Sequence, residues 1–455
     1  MWWPTLGKNP RATIQPAPLK LRISLMFFLL VLSIATSIAT SAVTSIDLAG
    51  AWSQTQELRA PAPASGSAFG NAVAASTRGL FVVGQYCAPY YKTTCAGAAH
   101  VFIRNPSGGL AYAQLLNASG DTTSGFAYAV AVGAGAGGAA VAVACEEMYD
   151  MYEGRCFVFQ SPPPPAAPRF SLVQELLPDD PAPWAFYGET AAAGSGALAV
   201  GAFQEDGGLG AVELYAVGGG GGGGPWQLQQ TLSPAGGSDD DIFGGALAFS
   251  GDGAALAIGA YQIGGDAGAV FLYRRAQNGT FALTARVGDP LGLPGALFGS
   301  AVALSGDGKM LLAGAPGAGN VSGGAFICGS GAAPCVALPA PPPLACMRCG
   351  FGSAVALSAS GDVAAVSAPG AGGGGALAVF RAPPGGGSGP WTLEAQLAAP
   401  GGDGSVGAED ALGAWGALAM DAGGAVVVAG APGWRNSTGR ALVFERGTAP
   451  GAGGP

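Results

Sequence analysis

The amino-acid sequence predicts an all-β fold: a seven-bladed β-propeller closed by an N-terminal strand that completes the last blade. Three observations predict it. A unit of about 57 residues recurs seven times along the chain. Each unit divides into four short strand-like runs separated by turn residues. The chain also runs out of phase with its own unit, beginning on a fourth strand and stopping after a third.

Each unit opens on an aromatic-Gly pair and closes 16 to 18 residues later on Gly-Ala-Pro or a near match. In the fifth unit, Phe298–Leu304 is the first strand and Met310–Ala313 the second, with Ser305-Gly-Asp-Gly as a tight hairpin between them. Asp-Gly is expected to supply the positive φ angles of a two-residue hairpin turn. A Gly-rich loop leads to the third strand, as in 268–273, and an aromatic opens the fourth, as in Trp226 and Trp391. The first two strands are rich in Ala, Val and Leu, which suits strands covered on both faces by neighbouring blades.

Aromatic-Gly anchors fall at Phe69, Phe126, Tyr187, Phe243, Phe298 and Phe351, with a degenerate seventh at Ala414-Trp415. Fourth strands start at Trp52, Tyr112, Phe170, Trp226, Phe281, Val336 and Trp391. Because Trp52–Leu58 precedes the first anchor and 441–445 is a third strand, a ring explains the offset and an open array does not.

On Phe243–Tyr273, Phe298–Phe326 and their weaker copies over about 51–446, the chain resembles the FG-GAP repeat family, the unit of the integrin alpha-subunit propeller. The Ser-Gly-Asp-Gly turns and the Trp before the next anchor resemble FG-GAP proteins of microbes and algae more than integrins. The resemblance implies a secreted or surface propeller used for recognition. Many blades of this family bind calcium through Asp-x-Asp-x-Asp-Gly loops between strands one and two. Here those loops offer one acid each, Asp252, Asp307, Asp362 and Asp421, against the six to eight oxygens calcium takes. They are expected to be turn residues; no cofactor is expected, and calcium is not supported.

Residues 1–45 read as a signal peptide or signal anchor and 46–455 as the propeller. Lys20 and Arg22 precede an apolar core from Ile23 to Ile34, then small residues at Thr40 and Ala42, with cleavage expected after Ala42. The long basic n-region leaves an uncleaved anchor open, the only route to a membrane, and a chloroplast transit peptide is a third reading. Four sequons, at Asn117, Asn278, Asn320 and Asn436, fall in expected loops and are N-glycosylation candidates. The eight cysteines form close pairs, expected as disulfides: Cys87 with Cys95, Cys145 with Cys156, Cys328 with Cys335 and Cys346 with Cys349. Zinc on the last four is disfavoured, because a strand's length separates the two pairs. The 81 Gly and 34 Pro serve turns and the local tracts Gly218–Gly224 and Pro162–Pro165.

A net charge of −9 disfavours nucleic acid as a partner class, and none is expected. The single histidine, His100, lies in a strand-like run and reads as a packed residue, and no hydrolase, Walker or metalloprotease motif is present. Loops joining strands two to three and four to one carry most of the 28 acids together with several aromatics. Tyr90, Tyr91, Glu146, Glu147, Tyr149, Asp150 and Trp434 are the partner-contact candidates there. The expected function is a non-enzymatic recognition or adhesion module, secreted or lumenal, binding an extracellular protein or glycan. A propeller hydrolase with a channel-mouth site and a purely structural matrix protein are the alternatives.

Overall fold

In the computed structural model, residues 52–63, 65–87, 97–106, 108–117, 125–135, 138–146, 154–163, 168–179, 185–202, 209–217, 224–234, 241–329, 334–342, 344–383, 389–399, 411–414 and 416–447 are described. Twenty-eight strands among them form seven four-stranded antiparallel sheets in a ring. Blade 1 holds β2 (Phe69–Ala75), β3 (Leu80–Gln85), β4 (Ala98–Arg104) and β5 (Leu110–Leu116). Blades 2 to 6 repeat that order from β6 (Phe126–Ala134) to β25 (Thr392–Ala398). Blade 7 joins β26 (Leu418–Met420), β27 (Val426–Ala431) and β28 (Arg440–Arg446) to β1 (Trp52–Leu58), the first strand of the chain. Trp52 pairs with Arg446 and Leu58 with Ala441, so the N-terminal strand closes the ring.

First strands of neighbouring blades lie against each other and second strands are sealed between blades. Second strands such as Ala255–Ala260 and Val426–Ala431 are buried along their whole length. Fourth strands such as β1 are buried at their two ends, exposed or half-buried between, and form the outside. Antiparallel order puts the connections between strands two and three and between strands four and one on one rim, called here the anchor rim. The hairpins between strands one and two lie on the other.

The two signature dipeptides meet across the seams. A Cβ on Gly259, Gly314 or Gly430 would lie 2.0, 2.0 or 1.8 Å from the carbonyl oxygen of Gly299, Gly352 or Gly70, the anchor glycine of the next blade. The anchor glycines themselves hold φ between 88° and 97° at Gly70, Gly188, Gly244, Gly299 and Gly352, where a Cβ is penalised. Blades therefore approach backbone to backbone, which is why the repeat spells glycine at both places. Two exceptions show what the seam tolerates. Ser367 replaces the glycine in blade 6 and donates its hydroxyl to Gly413 O at 2.8 Å. Cys145 replaces it in blade 2 and bonds to Cys156.

A second ladder ties the outside. Gln174 donates to Trp226 O at 2.8 Å and accepts from Trp226 N at 2.7 Å, reaching from one fourth strand to the start of the next. Gln56, Gln114 and Gln230 make the same pair of bonds to Leu110, Phe170 and Phe281. A bulge in each fourth strand precedes or flanks the glutamine and turns it toward its neighbour.

Three local expectations are corrected. The seventh anchor is Leu412-Gly413, not Ala414-Trp415: Leu412 is fully buried, Gly413 has φ 73°, and its N–H bonds Gly430 O at 2.8 Å. A leucine fills the aromatic's slot, and Trp415 lies outside the described residues. The fourth strand of blade 1 begins at Leu110, buried like Phe170 and Trp226, whereas Tyr112 is exposed. In blades 4 and 5 the hairpin between strands one and two is longer than two residues, and only its last glycine turns left-handed, as in Gly253 at 69° and Gly308 at 65°. Ser250 Oγ accepts from Ala255 N at 2.9 Å and donates to Asp252, whose carboxylate accepts from Ala254 N, so side chains close the turn.

Candidate functional site

On the anchor rim, the third residue of the unit lies on the innermost strand in blades 1 to 4. In blades 1 to 3 these residues are Asn71, Tyr128 and Glu189, on β2, β6 and β10 (Tyr187–Gly194). The residue after Gly-Ala, or its equivalent, is Tyr86 in blade 1 and Tyr261 in blade 4, where blades 5 to 7 carry the signature proline as Pro316, Pro369 and Pro432. These side chains come together. Asn71 Oδ1 accepts from Tyr86 N at 3.1 Å, and its amide donates to Tyr128 O at 2.8 Å. The Tyr86 and Tyr128 rings meet edge to face with centroids 5.1 Å apart. Tyr128 Oη donates to Glu189 Oε1 at 3.3 Å.

Glycine makes room for the rings. A Cβ on Gly125 would lie 2.7 Å from the Tyr86 ring, and one on Gly245 would lie 2.5 Å from that of Tyr261. Burial raises the Tyr261 phenol above its ordinary value, and the nearby Glu189 charge adds to the shift. The Tyr261 phenol thus stays neutral near the Glu189 carboxylate. Chemically, the group offers aromatic faces, phenolic hydroxyls and one carboxylate, a set that suits a basic group or a sugar ring.

The opposite mouth differs. A cavity of about 150 Å³ is lined by strand-one ends and turn residues of all seven blades, among them Ser76, Ser195, Ser250, Gly306, Ala359 and Ala422. Two of its hydroxyls are engaged in the hairpins: Ser76 Oγ accepts from Leu80 N at 3.2 Å, and Ser250 closes its own turn. Asp307 bonds Ser305, Lys309 N and the Lys309 ammonium, which hold its carboxyl down at about 2. Asp362 is spread over Ser358, Ser360 and Arg381, and Asp421 caps Ala425 N and Val426 N. Each of these acids is engaged within its own blade or by a neighbour. Among the described residues no three His, Cys, Asp or Glu side chains converge.

Two of the partner-contact candidates are corrected by their burial. Glu146 is 1% exposed and bonds Arg155 Nε at 2.8 Å, while Arg155 also reaches Glu175; this is an ion pair inside blade 2. Trp434 is 8% exposed and packed among arginines. Tyr90, Tyr91, Cys95, Glu147, Tyr149 and Asp150 lie outside the described residues, as does the 1–45 segment. The structure bonds Cys145 to Cys156, Cys328 to Cys335 and Cys346 to Cys349, and Cys87 is also disulfide-bonded. Asn117 and Asn278 are exposed in connections, and Asn320 and Asn436 sit in single-turn helices between strands two and three.

His100 is buried. Its Nε2 donates to Gln85 Oε1 at 2.8 Å, its ring packs against Phe69, and burial lowers its pKa to about 4. A second buried network was not anticipated: Tyr187 and Tyr215 hydroxyls meet at 2.8 Å, Tyr215 donates to Glu213, and Glu213 accepts from Asp179 N. Burial raises both phenols and the Glu213 carboxyl. It explains why blade 3 alone uses tyrosine as its anchor. Tyr86, Tyr128, Glu189 and Tyr261 were also missed, although each departs from its repeat position in the sequence and so left a signal.

A family model described as FG-GAP repeat matches residues 52–102 and 226–273. Among solved structures, the Cps50 (Swd1) β-propeller domain of Myceliophteria thermophila is 12% identical with a TM-score of 0.50, covering 87% of this chain and 100% of that domain. A 6-phosphogluconolactonase candidate from Bacteroides uniformis is 13% identical with a TM-score of 0.50, covering 77% of this chain and 88% of that one. At such identities the likeness is one of fold. No curated protein matches. With repeat matches at two places and seven four-stranded blades closed by the N-terminal strand, the chain is an FG-GAP repeat propeller protein.

Proposed function

We propose that the protein is an exported recognition module that binds a basic group of an extracellular protein or glycan at the anchor-rim mouth of the ring. One observation carries the reading: Tyr86, Tyr128, Glu189 and Tyr261, from four successive blades, are gathered on one rim, with glycines opening the space for the rings. A carboxylate flanked by phenols and ring faces favours a cationic or amino-sugar group, and the chain's net charge of −9 favours its approach. Disulfides are compatible with an oxidising compartment, and no helix among the described residues is long and apolar enough to cross a membrane.

The test is binding of the purified chain to arrays of basic peptides and amino-sugar oligomers, comparing wild type with Glu189→Gln and Tyr128→Ala. Binding weakened about tenfold or more in Glu189→Gln, with unfolding unchanged, supports the reading. Undiminished binding in both variants, or none by the wild type, sinks it.

A further inference from the structure

The repeat supplies an internal control for blade 7. Its connection between strands two and three, Trp434–Ser437, is built like Ile263–Asp266, Ala318–Val321 and Ala371–Gly373 in blades 4 to 6. In all four, the first residue's carbonyl accepts from the glycine that precedes strand three: Gly439, Gly268, Gly323 and Gly375. Blade 7 departs from its siblings at three equivalent positions together. Trp434 stands where they have Ile263, Ala318 and Ala371, and Arg440 where they have Ala269, Gly324 and Ala376. Arg435 stands where they have Gly264, Gly319 and Gly372.

The third exchange carries the most weight. Those glycines have φ of 71°, 59° and 61°, and Arg435 is held at 46°, a region that penalises a residue with a Cβ. A strained arginine at an exposed turn points to a use other than folding. Its guanidinium lies 4.4 Å from the Trp434 ring centroid, with Arg59 at 4.5 Å and Arg440 at 4.9 Å from the same ring. Arg59 and Arg435 are thus no more than about 9 Å apart, two guanidiniums gathered at one ring.

Glu57 reaches Arg59 at 2.5 Å and the buried Arg440 at 3.4 Å. Among the described residues Arg435 has no carboxylate partner, and Arg440 Nε has no hydrogen-bond acceptor. Three guanidiniums thus face one carboxylate on a chain whose net charge is −9.

We propose that Arg59 and Arg435, braced on Trp434 and backed by Arg440, form an oxyanion site on the anchor rim for single carboxylate or sulfate groups of an acidic oligosaccharide. The surrounding negative chain repels dense polyanions and leaves room for isolated charges. This site is separate from the tyrosine-carboxylate group and does not depend on it.

The test is calorimetric titration of the full chain with a uronic-acid oligomer, a sulfated oligomer and a neutral oligomer of equal length, at low and high salt. Acidic oligomers should bind, the neutral one should not, and binding should weaken with salt. Millimolar inorganic sulfate should displace them. Arg435→Gly should weaken binding about tenfold or more while melting no lower than wild type, since sibling turns already use glycine. Arg59→Gln should weaken it too, and Glu189→Gln should leave it unchanged. Equal binding by Arg435→Gly, equal binding of the neutral oligomer, or no binding of acidic oligomers overturns the proposal.

Discussion

Replacing Gly314 by alanine tests how the blades are held together. Gly314 has no positive φ, so the change adds no backbone strain of its own. The new Cβ would sit 2.0 Å from Gly352 O and 3.0 Å from its carbon, so the fifth and sixth blades must part by more than an ångström. Overpacking against a side chain costs about 1–3 kcal/mol, and here the obstacle is backbone that cannot rotate away. A loss of about 3 kcal/mol follows, offset by at most about 1 kcal/mol from the stiffer unfolded chain. With unfolding entropy near 2.1 cal/mol/K per residue over roughly 400 residues, each kcal/mol moves Tm by about 1 °C, so denaturant midpoints are the better assay. Gly288→Ala is the control, since nothing lies within 4 Å of its Cβ and its φ is not positive. It should be neutral or slightly stabilising. Equal midpoints for Gly314→Ala and Gly288→Ala would refute the glycine-to-glycine seam.

The anchor of blade 2 offers the converse. Ala127 occupies the anchor-glycine position at φ 61°, so Ala127→Gly should raise stability by up to about 1 kcal/mol, read as a higher urea midpoint. Gln174→Ala removes two seam bonds and leaves Trp226 N and O without them, and should cost about 1–3 kcal/mol, whereas Gln229→Ala, at an exposed neighbour, should cost little. His100 predicts an acid dependence. Its folded pKa of about 4 lies below the ordinary 6.5, so the unfolded chain takes up a proton that the folded chain refuses. Its contribution is therefore intact above pH 6.5, falls as pH drops toward 4, and levels off below, for a loss of about 3 kcal/mol. His100→Phe should flatten that part of the stability-pH curve. Chelation by EDTA should leave the unfolding midpoint unchanged, because Asp252, Asp307, Asp362 and Asp421 are turn residues.

The ring was legible because its rule is periodic. Phe-Gly and Gly-Ala-Pro recur at fixed spacing since each marks a place where backbones touch, and Trp52–Leu58 sits out of phase because it pairs with Arg440–Arg446. Where the slot accepts a different side chain of similar burial, the pattern fades: Leu412 for phenylalanine, Leu110 for an aromatic. Reading an aromatic as the marker shifted both assignments by two residues. Counting acids on the rim also misplaced Glu146, since its role depends on Arg155 across the strand pair, and Trp434, which its arginines cover. The tyrosine-carboxylate group is built from side chains on four blades, which only the ring brings together, so its departures from the repeat were visible while their convergence was not.

Hydrogen-deuterium exchange of the chain with and without a bound basic oligopeptide or amino-sugar oligomer tests the functional reading most directly. The account predicts new protection in the peptides containing Tyr86, Tyr128, Glu189 and Tyr261, lost in Glu189→Gln. Protection confined to the hairpins at Ser250, Ser305 and Ser358, on the opposite rim, would contradict it.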